Sequence, residues 1–457
     1  MEHPRLFIFF VLLVLNALCY AAEPPAPDNE KLQAFNASYA EFEDLLKTER
    51  IEQALQKCRE AFELAREIFG ESHKTTAELS YNYGLLLNKV GYYPLAKDIL
   101  TEAIAIHEKV YGTEAFELIP VLEQFGETLA FLNHKDGGDS AAQSSALHRA
   151  LNIHKKHNPD DRIGYADLNT RVASQLVKTR PDDTEVPRML DESLAIYEEE
   201  YGSNAIQLVP VLMALGDANA KPFNPSKQKS FYNKALEITK DNFPDDPVRY
   251  ADISLESGQH ILWFSKSVDA KSYLIKAHSG YEKALGKDNH KTALSALALG
   301  EYYFATQDHK NSEQYTLSAL NTLSSNPNYR NYTLRAHGLL VVIYERGYKP
   351  DLATEHLLAI GKIAPWTPDQ DVQPAFRVNP MFPSDAFWDV KGGWTIIDFT
   401  IDQTGRVQDA VVENHEGHLA YQKAALKAVK KFRYAPRFVD GKPVSTPHIK
   451  IKFTFEK

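Results

Sequence analysis

Cysteine is nearly absent: the 457 residues contain two, Cys19 and Cys58. Cys19 lies in an apolar N-terminal stretch, so removal of that stretch leaves Cys58 alone and no intramolecular disulfide can form. Packing must then supply the stability, and Cys58, on an apolar helix position, reads as a small buried hydrophobe. Membrane-length apolar runs are missing as well. Leu6–Leu18 is almost unbroken apolar, too short to cross a bilayer comfortably but the length of a secretory core. Cys19-Tyr20-Ala21-Ala22 and the proline-rich Glu23-Pro24-Pro25-Ala26-Pro27 follow. The reading is a signal peptide over residues 1–22, cleaved after Ala21 or Ala22, then a disordered proline-rich segment over 23–34. Leu18 precedes Cys19 where a lipoprotein site wants Gly or Ala.

Positive charge is scarce too. The net charge is −10. From Pro365 onward thirteen Lys and Arg face eleven Asp and Glu, which puts about −12 on the rest. The acidic body argues against nucleic acid as a partner, because phosphate binding requires clustered cations. Catalytic constellations are equally lacking. His415-Glu416-Gly417-His418 has the wrong spacing for a zinc helix and lies between a strand and a helix. Gly441-Lys442-Pro443-Val444-Ser445-Thr446 lacks the first glycine and the helix of a phosphate loop. His148, His154 and His157 crowd one helix end without matching carboxylates or cysteines. The expectation is a non-enzyme with no cofactor and no metal.

What the chain has is repetition. Gly84, Gly126, Gly216, Gly258 and Gly300 occupy similar helical contexts at intervals of 42, 90, 42 and 42, the longer interval hiding a repeat near Ala173. Loop motifs ending in Gly70, Gly112, Gly202 and Gly286 keep the same register. Tyr111–Ala130 and Tyr201–Ala220 share nine identities in twenty, and Tyr165-Ala166-Asp167 returns as Tyr250-Ala251-Asp252. Each unit reads as two amphipathic helices: Leu79, Tyr83, Leu86 and Leu87 on one, Leu95, Ile99, Ala103, Ile106 and Val110 on the next. Gly91 supplies the turn between them. Small residues recur where helices must approach, at Ala54, Ala61, Ala96, Ala103, Ala150, Ala235 and Ala277. Asp136–Ser145, rich in Gly, Ser and Asp, reads as a surface loop.

Gly84, Ala96, Leu100 and Ala103 together resemble the tetratricopeptide repeat, in the long variety of kinesin light chain because the units run near 42 residues. The expected architecture is mostly α: a solenoid of about eight helix pairs over 35–364, then a small α+β domain with a three-stranded antiparallel sheet. The resemblance implies a protein-binding groove, with Asn82 and Gln124 as candidates to face it.

Prolines at 365, 368, 374, 380 and 383 interrupt Ala364–Ser384, and residues 365–378 read as a linker. Beyond it, Thr395, Ile397, Phe399 and Ile401 alternate with polar neighbours as in a half-buried strand. Asp402-Gln403-Thr404-Gly405 turns the chain into a second strand, Val407–Val412. In the next helix Tyr421, Ala425, Ala428, Val429 and Phe432 form the buried stripe and Lys423, Lys427, Lys430 and Lys431 the solvated one. Asp440-Gly441 makes a turn. The last strand alternates Ile449, Ile451, Phe453 and Phe455 inward with His448, Lys450, Lys452 and Thr454 outward.

In order, Pro380-Met381-Phe382-Pro383, Gly393, Ile401-Asp402, Gly405-x-Val407, Ala424-Ala425-Leu426-x-Ala428-Val429, Lys431-Phe432-Arg433-Tyr434-x-Pro436, Gly441-x-Pro443-Val444 and Phe453-x-Phe455 resemble the TonB C-terminal domain, over 379–457. The resemblance implies recognition of extended segments from outer-membrane TonB-dependent receptors by strand addition at the sheet edge. The implied contacts are Thr446, His448, Ile449, Lys450, Ile451, Lys452 and Phe453, with Pro380, Phe382 and Pro383 beside the docked segment. It further implies TonB-dependent transport in the periplasm, membrane-anchored if the signal is uncleaved. The solenoid would bind a second protein, either an inner-membrane motor component or another periplasmic protein. The chain departs from the family's transducer in having no His within Leu6–Ala22 to couple to the ExbB–ExbD motor, and helix pairs where that protein has a Pro/Glu/Lys arm. The alternative is a periplasmic scaffold or assembly factor whose C-terminal domain docks or forms a homodimer through its sheet.

Overall fold

A computed structural model describes residues 29–456, except 49, 137–138, 181–182, 221–223, 266–268, 367–371 and 387–391. The expected signal peptide, and residues 23–28 of the proline-rich segment, lie outside the described residues. The chain divides into two compact units, Met1–Pro244 and Asp245–Lys457. Among the described residues no helix is long and apolar enough to cross a membrane.

The first unit is a solenoid-like array of antiparallel pairs: α1 (Asn29–Lys47) with α2 (Ile51–Phe69), α3 (Lys74–Val90) with α4 (Tyr93–Tyr111), α5 (Leu118–Asp136) with α6 (Ser140–His157), α7 (Arg162–Thr179) with α8 (Glu185–Tyr201), and α9 (Val209–Ala218) with α10 (Pro225–Asn242). The second unit continues the pattern with α11 (Pro247–His260) and α12 (Ala270–Leu285), α13 (His290–Ala305) and α14 (His309–Leu323), and α15 (Arg330–Arg346) and α16 (Pro350–Ile363). These make the eight expected pairs among the described residues. Two local expectations are corrected. Residues 29–34 are helical rather than disordered, because Leu32 packs with Phe35 against the first core. Ser140–Ser145 starts a helix rather than continuing a loop, because Asp139 accepts from the backbone N–H of Ala142 and caps it.

The repeated glycines are explained by the closeness of the paired helices. A Cβ at Gly84, Gly216, Gly258 or Gly300 would lie 2.2–2.6 Å from a side chain sixteen residues later: Leu100, Tyr232, Leu274 and Thr316. At Gly126 the opposing residue is Leu147, twenty-one residues on, which absorbs the insertion without losing the contact. The recurrent alanines at 54, 61, 96, 103, 150, 235 and 277 are fully buried. Gly91 ends α3 at φ 84, its N–H reaching the Leu87 and Asn88 carbonyls. Cys58 is fully buried in the first core, and burial pushes its thiol pKa well up.

The C-terminal domain follows α16. Its sheet has the order β2-β1-β5, all antiparallel, from β1 (Gly393–Ile401), β2 (Val407–Glu416) and β5 (Thr446–Phe455). A helix, α17 (Leu419–Val429), covers one face, and a two-stranded hairpin, β3 (Arg437–Val439) and β4 (Lys442–Val444), stands apart. The hairpin was not foreseen, although its turn at Asp440-Gly441 was.

The glycine contacts predict opposite signs for two similar changes. Gly216→Ala must displace the buried Tyr232 ring, whose hydroxyl donates to Asp217 over 2.6 Å. It should cost about 1–3 kcal/mol and lower the thermal midpoint. Gly338→Ala on α15 meets nothing within 4 Å and should gain about 0.5–1 kcal/mol from helix propensity. Calorimetry on both variants checks the pair.

Candidate functional site

The domain's core determines which strand is left at the edge. Ile397, Phe399 and Ile401 of β1 and Phe453 and Phe455 of β5 point to one side, where Tyr421, Ala425, Ala428 and Val429 of α17 and Phe432 close over them. The Tyr421 ring stacks on Phe455 with centroids 4.6 Å apart, and Phe453 meets Phe432 edge-on at 5.9 Å. With β1 held centrally and β2 on one flank, β5 ends the sheet. Its far side is unpaired among the described residues.

The two edges differ in regularity. β2 carries two register shifts and a residue with positive φ, Asp409 at 53°. β5 pairs without interruption from Gly393↔Phe455 to Phe399↔Ile449, then breaks. At the break Pro447 has no N–H to offer and His448 sits at φ 60°, so the strand bulges before Thr446 pairs with Ile401. The structure therefore brings Ile449, Lys450, Ile451, Lys452 and Phe453 into one regular edge. Thr446 and His448 lie across the bulge, and Thr446 is buried. Pro380, Phe382 and Pro383 are half-buried. The Phe382 ring lies 5.7 Å from Tyr421 and 6.5 Å from Phe455, which puts the opening motif at the C-terminal end of the edge strand.

On the solvent face of the sheet, Lys450 pairs with Glu413 on β2, Lys452 lies 4.8 Å over the Trp394 ring, and His448 Nδ1 is 3.5 Å from Asp398. The hydrogen bond to Glu413 raises the Lys450 pKa. Of the residues that resembled a zinc motif, Glu416 accepts from the Trp394 indole at 2.8 Å, and His418 Nδ1 accepts from the Ala420 N–H, capping α17.

Sequence reasoning missed Arg433, which fastens this domain to the last helix pair. Its side chain is 4% exposed. One guanidinium nitrogen pairs with Glu345 on α15. The other donates to Thr354 Oγ1 on α16 at 2.7 Å and to the Thr404 carbonyl of the β1–β2 turn at 3.2 Å. Burial lowers its pKa and Glu345 opposes that. Its backbone exchanges two hydrogen bonds with Phe376, and the Trp366 indole donates to the Ala435 carbonyl at 3.0 Å. Residues 365–378, expected as a linker, thus contribute Trp366, Val372, Phe376 and Val378 to the domain. Gly361 on α16 lets the Pro436 carbonyl and the Phe438 ring come close, since a Cβ there would lie 2.5 Å from that oxygen. Arg433 belonged to the motif that carried the family resemblance, but an Arg before Tyr434 gave no sign of its partner 88 residues earlier.

Of the groove candidates, Asn82 is half-buried on α3. Gln124 is buried on α5, its amide donating to Glu127 at 2.9 Å. More prominent are charge pairs between first helices, and tyrosine hydroxyls of second helices that donate to first-helix aspartates. In the first unit Arg171 forks onto Glu123 at 2.8 and 3.2 Å, and Tyr197 donates to Asp167 at 2.5 Å. In the second unit Tyr281 donates to Asp252 at 2.6 Å, beside Lys291 at 2.7 Å, and Arg335 pairs with Glu301. Burial and the bonded aspartate push the Tyr197 and Tyr281 pKa values well up. Asp167 and Asp252 are the repeated aspartates of the duplicated Tyr-Ala-Asp segment. That repetition was the signal that could have identified them.

Residues 378–456 match the family model described as Gram-negative bacterial TonB protein C-terminal, and residues 43–109 match a tetratricopeptide-repeat model. A clustered mitochondria protein homolog from Kluyveromyces lactis is 21% identical over 198 residues, 42% of this chain; the match spans only 15% of that protein. Among solved structures, the apo form of RapI aligns with a TM-score of 0.45 at 14% identity, over 64% of this chain and 99% of that one. BtubC from P. vanneervenii gives 0.40 at 15% identity, over 53% and 99%. A Rap protein complexed with competence and sporulation factor gives 0.40 at 12% identity, over 74% and 88%.

Two measurements test how the domain is seated. Arg433→Met leaves Glu345 unpaired and should cost about 3–5 kcal/mol, most of it recovered in the double variant with Glu345→Gln; a double-mutant cycle by chemical denaturation reads this. On the same helix pair, His337 Nδ1 meets His356 Nδ1 at 2.9 Å. Burial lowers both pKa values, that of His337 to about 4 from 6.5. Between those values the unfolded chain binds more protons than the native one, so stability is full above about pH 6.5 and declines as pH falls towards 4. Replacing both histidines with Gln should flatten the stability profile across that window.

Proposed function

Because the chain carries a TonB C-terminal domain fused to tetratricopeptide repeats, we propose that it is a non-enzymatic adaptor of the cell envelope, working in the periplasm in TonB-dependent transport. Its β5 edge takes up an extended segment of an outer-membrane receptor or another envelope protein, and its helix-pair array holds a second protein. The observation that carries this reading is the free, regular edge Ile449–Phe455. Strand addition there draws affinity from main-chain hydrogen bonds and selectivity from alternate side chains. About six bonds at a net ~0.5–1.5 kcal/mol each give contacts on the micromolar scale, suited to engagement that must be released. Phe382, where the family has Tyr, offers the segment an apolar ring without a hydroxyl. The firm seating of the domain on α15 and α16 makes the array part of the docking device, so the full chain is the proper reagent.

The test is titration of the full chain with receptor N-terminal peptides. Lys450→Pro and Lys452→Pro should abolish binding. Peptides N-methylated at successive positions should lose up to about tenfold per lost bond at alternate residues only. Unchanged affinity in every case, or loss without alternation, would sink strand addition. A homodimer through the same edge competes with the peptide, and sedimentation without peptide separates the two.

A further inference from the structure

The exposed side of α17 has a composition that strand addition does not use. From Leu419 to Val439 the chain has six basic residues and no acidic one, within a protein of net charge −10. Arg433 is buried. Lys423, Lys427, Lys430 and Lys431 are all exposed, and among the described residues none of the four is in an ion pair. The lysines on the sheet's solvent face differ, since Lys450 meets Glu413 and Lys452 meets Trp394.

At roughly 100° per residue, Lys423 and Lys427 of α17 and Lys430 at its C-cap fall within about 60° of the helix circumference, Leu419 falls beside them, and Lys431 follows in the turn. Leu419 is 66% exposed. Met381, 83% exposed, directly precedes Phe382, whose ring packs on Tyr421 in the first turn of α17. Leu419 therefore stands exposed at one end of a row of cations that no described residue pairs, and Met381 adjoins that end through Phe382.

We propose that this face, Leu419, Lys423, Lys427, Lys430 and Lys431 with Met381, seats the C-terminal domain on an anionic phospholipid bilayer. Lysines are mobile point charges, which fit a diffuse anionic surface better than the fixed carboxylates of a folded partner. Apolar side chains beside them reach the acyl boundary, as in helices that lie in a membrane interface. Each lysine near such a surface adds about fivefold, hence on the order of several hundredfold for four. The opposite side of α17 is buried on the sheet, and the β5 edge lies in the plane of the sheet. Lipid contact therefore leaves that edge open, and the inference stands whether or not strand addition does.

The experiment is cosedimentation of the full chain with vesicles of phosphatidylcholine alone and of phosphatidylcholine mixed with phosphatidylglycerol. Binding to the mixed vesicles should be stronger by two to three orders of magnitude, on the order of the lysine contribution. The preference should vanish near 1 M salt, where the Debye length is about 3 Å. The variant with Lys423, Lys427, Lys430 and Lys431 all changed to Gln should lose the preference while keeping its thermal midpoint. Leu419→Ser with Met381→Ser should weaken the salt-resistant remainder. Any contribution from Leu6–Leu18 is common to both vesicle types and to the variants. Equal binding to the two vesicles, or a quadruple variant that keeps the preference, overturns the proposal. Lysine-dependent binding to poly-glutamate without binding to anionic vesicles also overturns it, in favour of an acidic polypeptide.

Discussion

One buried guanidinium determines how the second unit is held together. Arg433 satisfies Glu345, Thr354 and the Thr404 carbonyl at once, so two helices and a strand turn share a single charged group. A charge with so little exposure is tolerated only when paired and hydrogen-bonded, and each partner comes from a different segment. The consequence is geometric specificity: shifting the domain on the helix pair would strand a charge, whereas sliding an apolar interface would cost much less. Trp366 and Phe376 reinforce the seat with backbone-directed hydrogen bonds.

Much of this was legible in the residues. Helix pairing followed from the 42-residue spacing of Gly84, Gly126, Gly216, Gly258 and Gly300, since close approach at a fixed point is what a periodic glycine encodes. The strands followed from alternation, because residues two apart share a face, whereas the edge position of the last strand came only from the family resemblance. Boundaries were less legible. The helix at Asn29 depends on Leu32 reaching a core made elsewhere, and the helix at Ser140 on one capping carboxylate. The seating of the domain was invisible, because prolines signal only that helix must stop. Whether the following chain swings free or packs is decided by distant partners such as Glu345.

Within the candidate site, alternation showed which side chains point outward but not where the ladder fails. The Pro447–His448 bulge is a backbone event, and a proline in an edge strand is compatible with either a regular or a broken edge. The β2 flank is likewise blunted by its own irregularities, the usual protection against unwanted pairing. One flank of the three-stranded sheet is thus irregular, and the other is regular from Ile449 to Phe455.

The bulge also has a metrical effect. A strand laid along β5 finds regular pairing only from Phe455 to Ile449, after which the ladder turns away. For the proposed strand addition, lengthening a segment past that point adds disorder to be quenched without adding bonds, so affinity is expected to saturate with segment length. In the proposed strand addition the domain is a ruler with one fixed end: Pro447 marks zero, and each docked segment is counted from it.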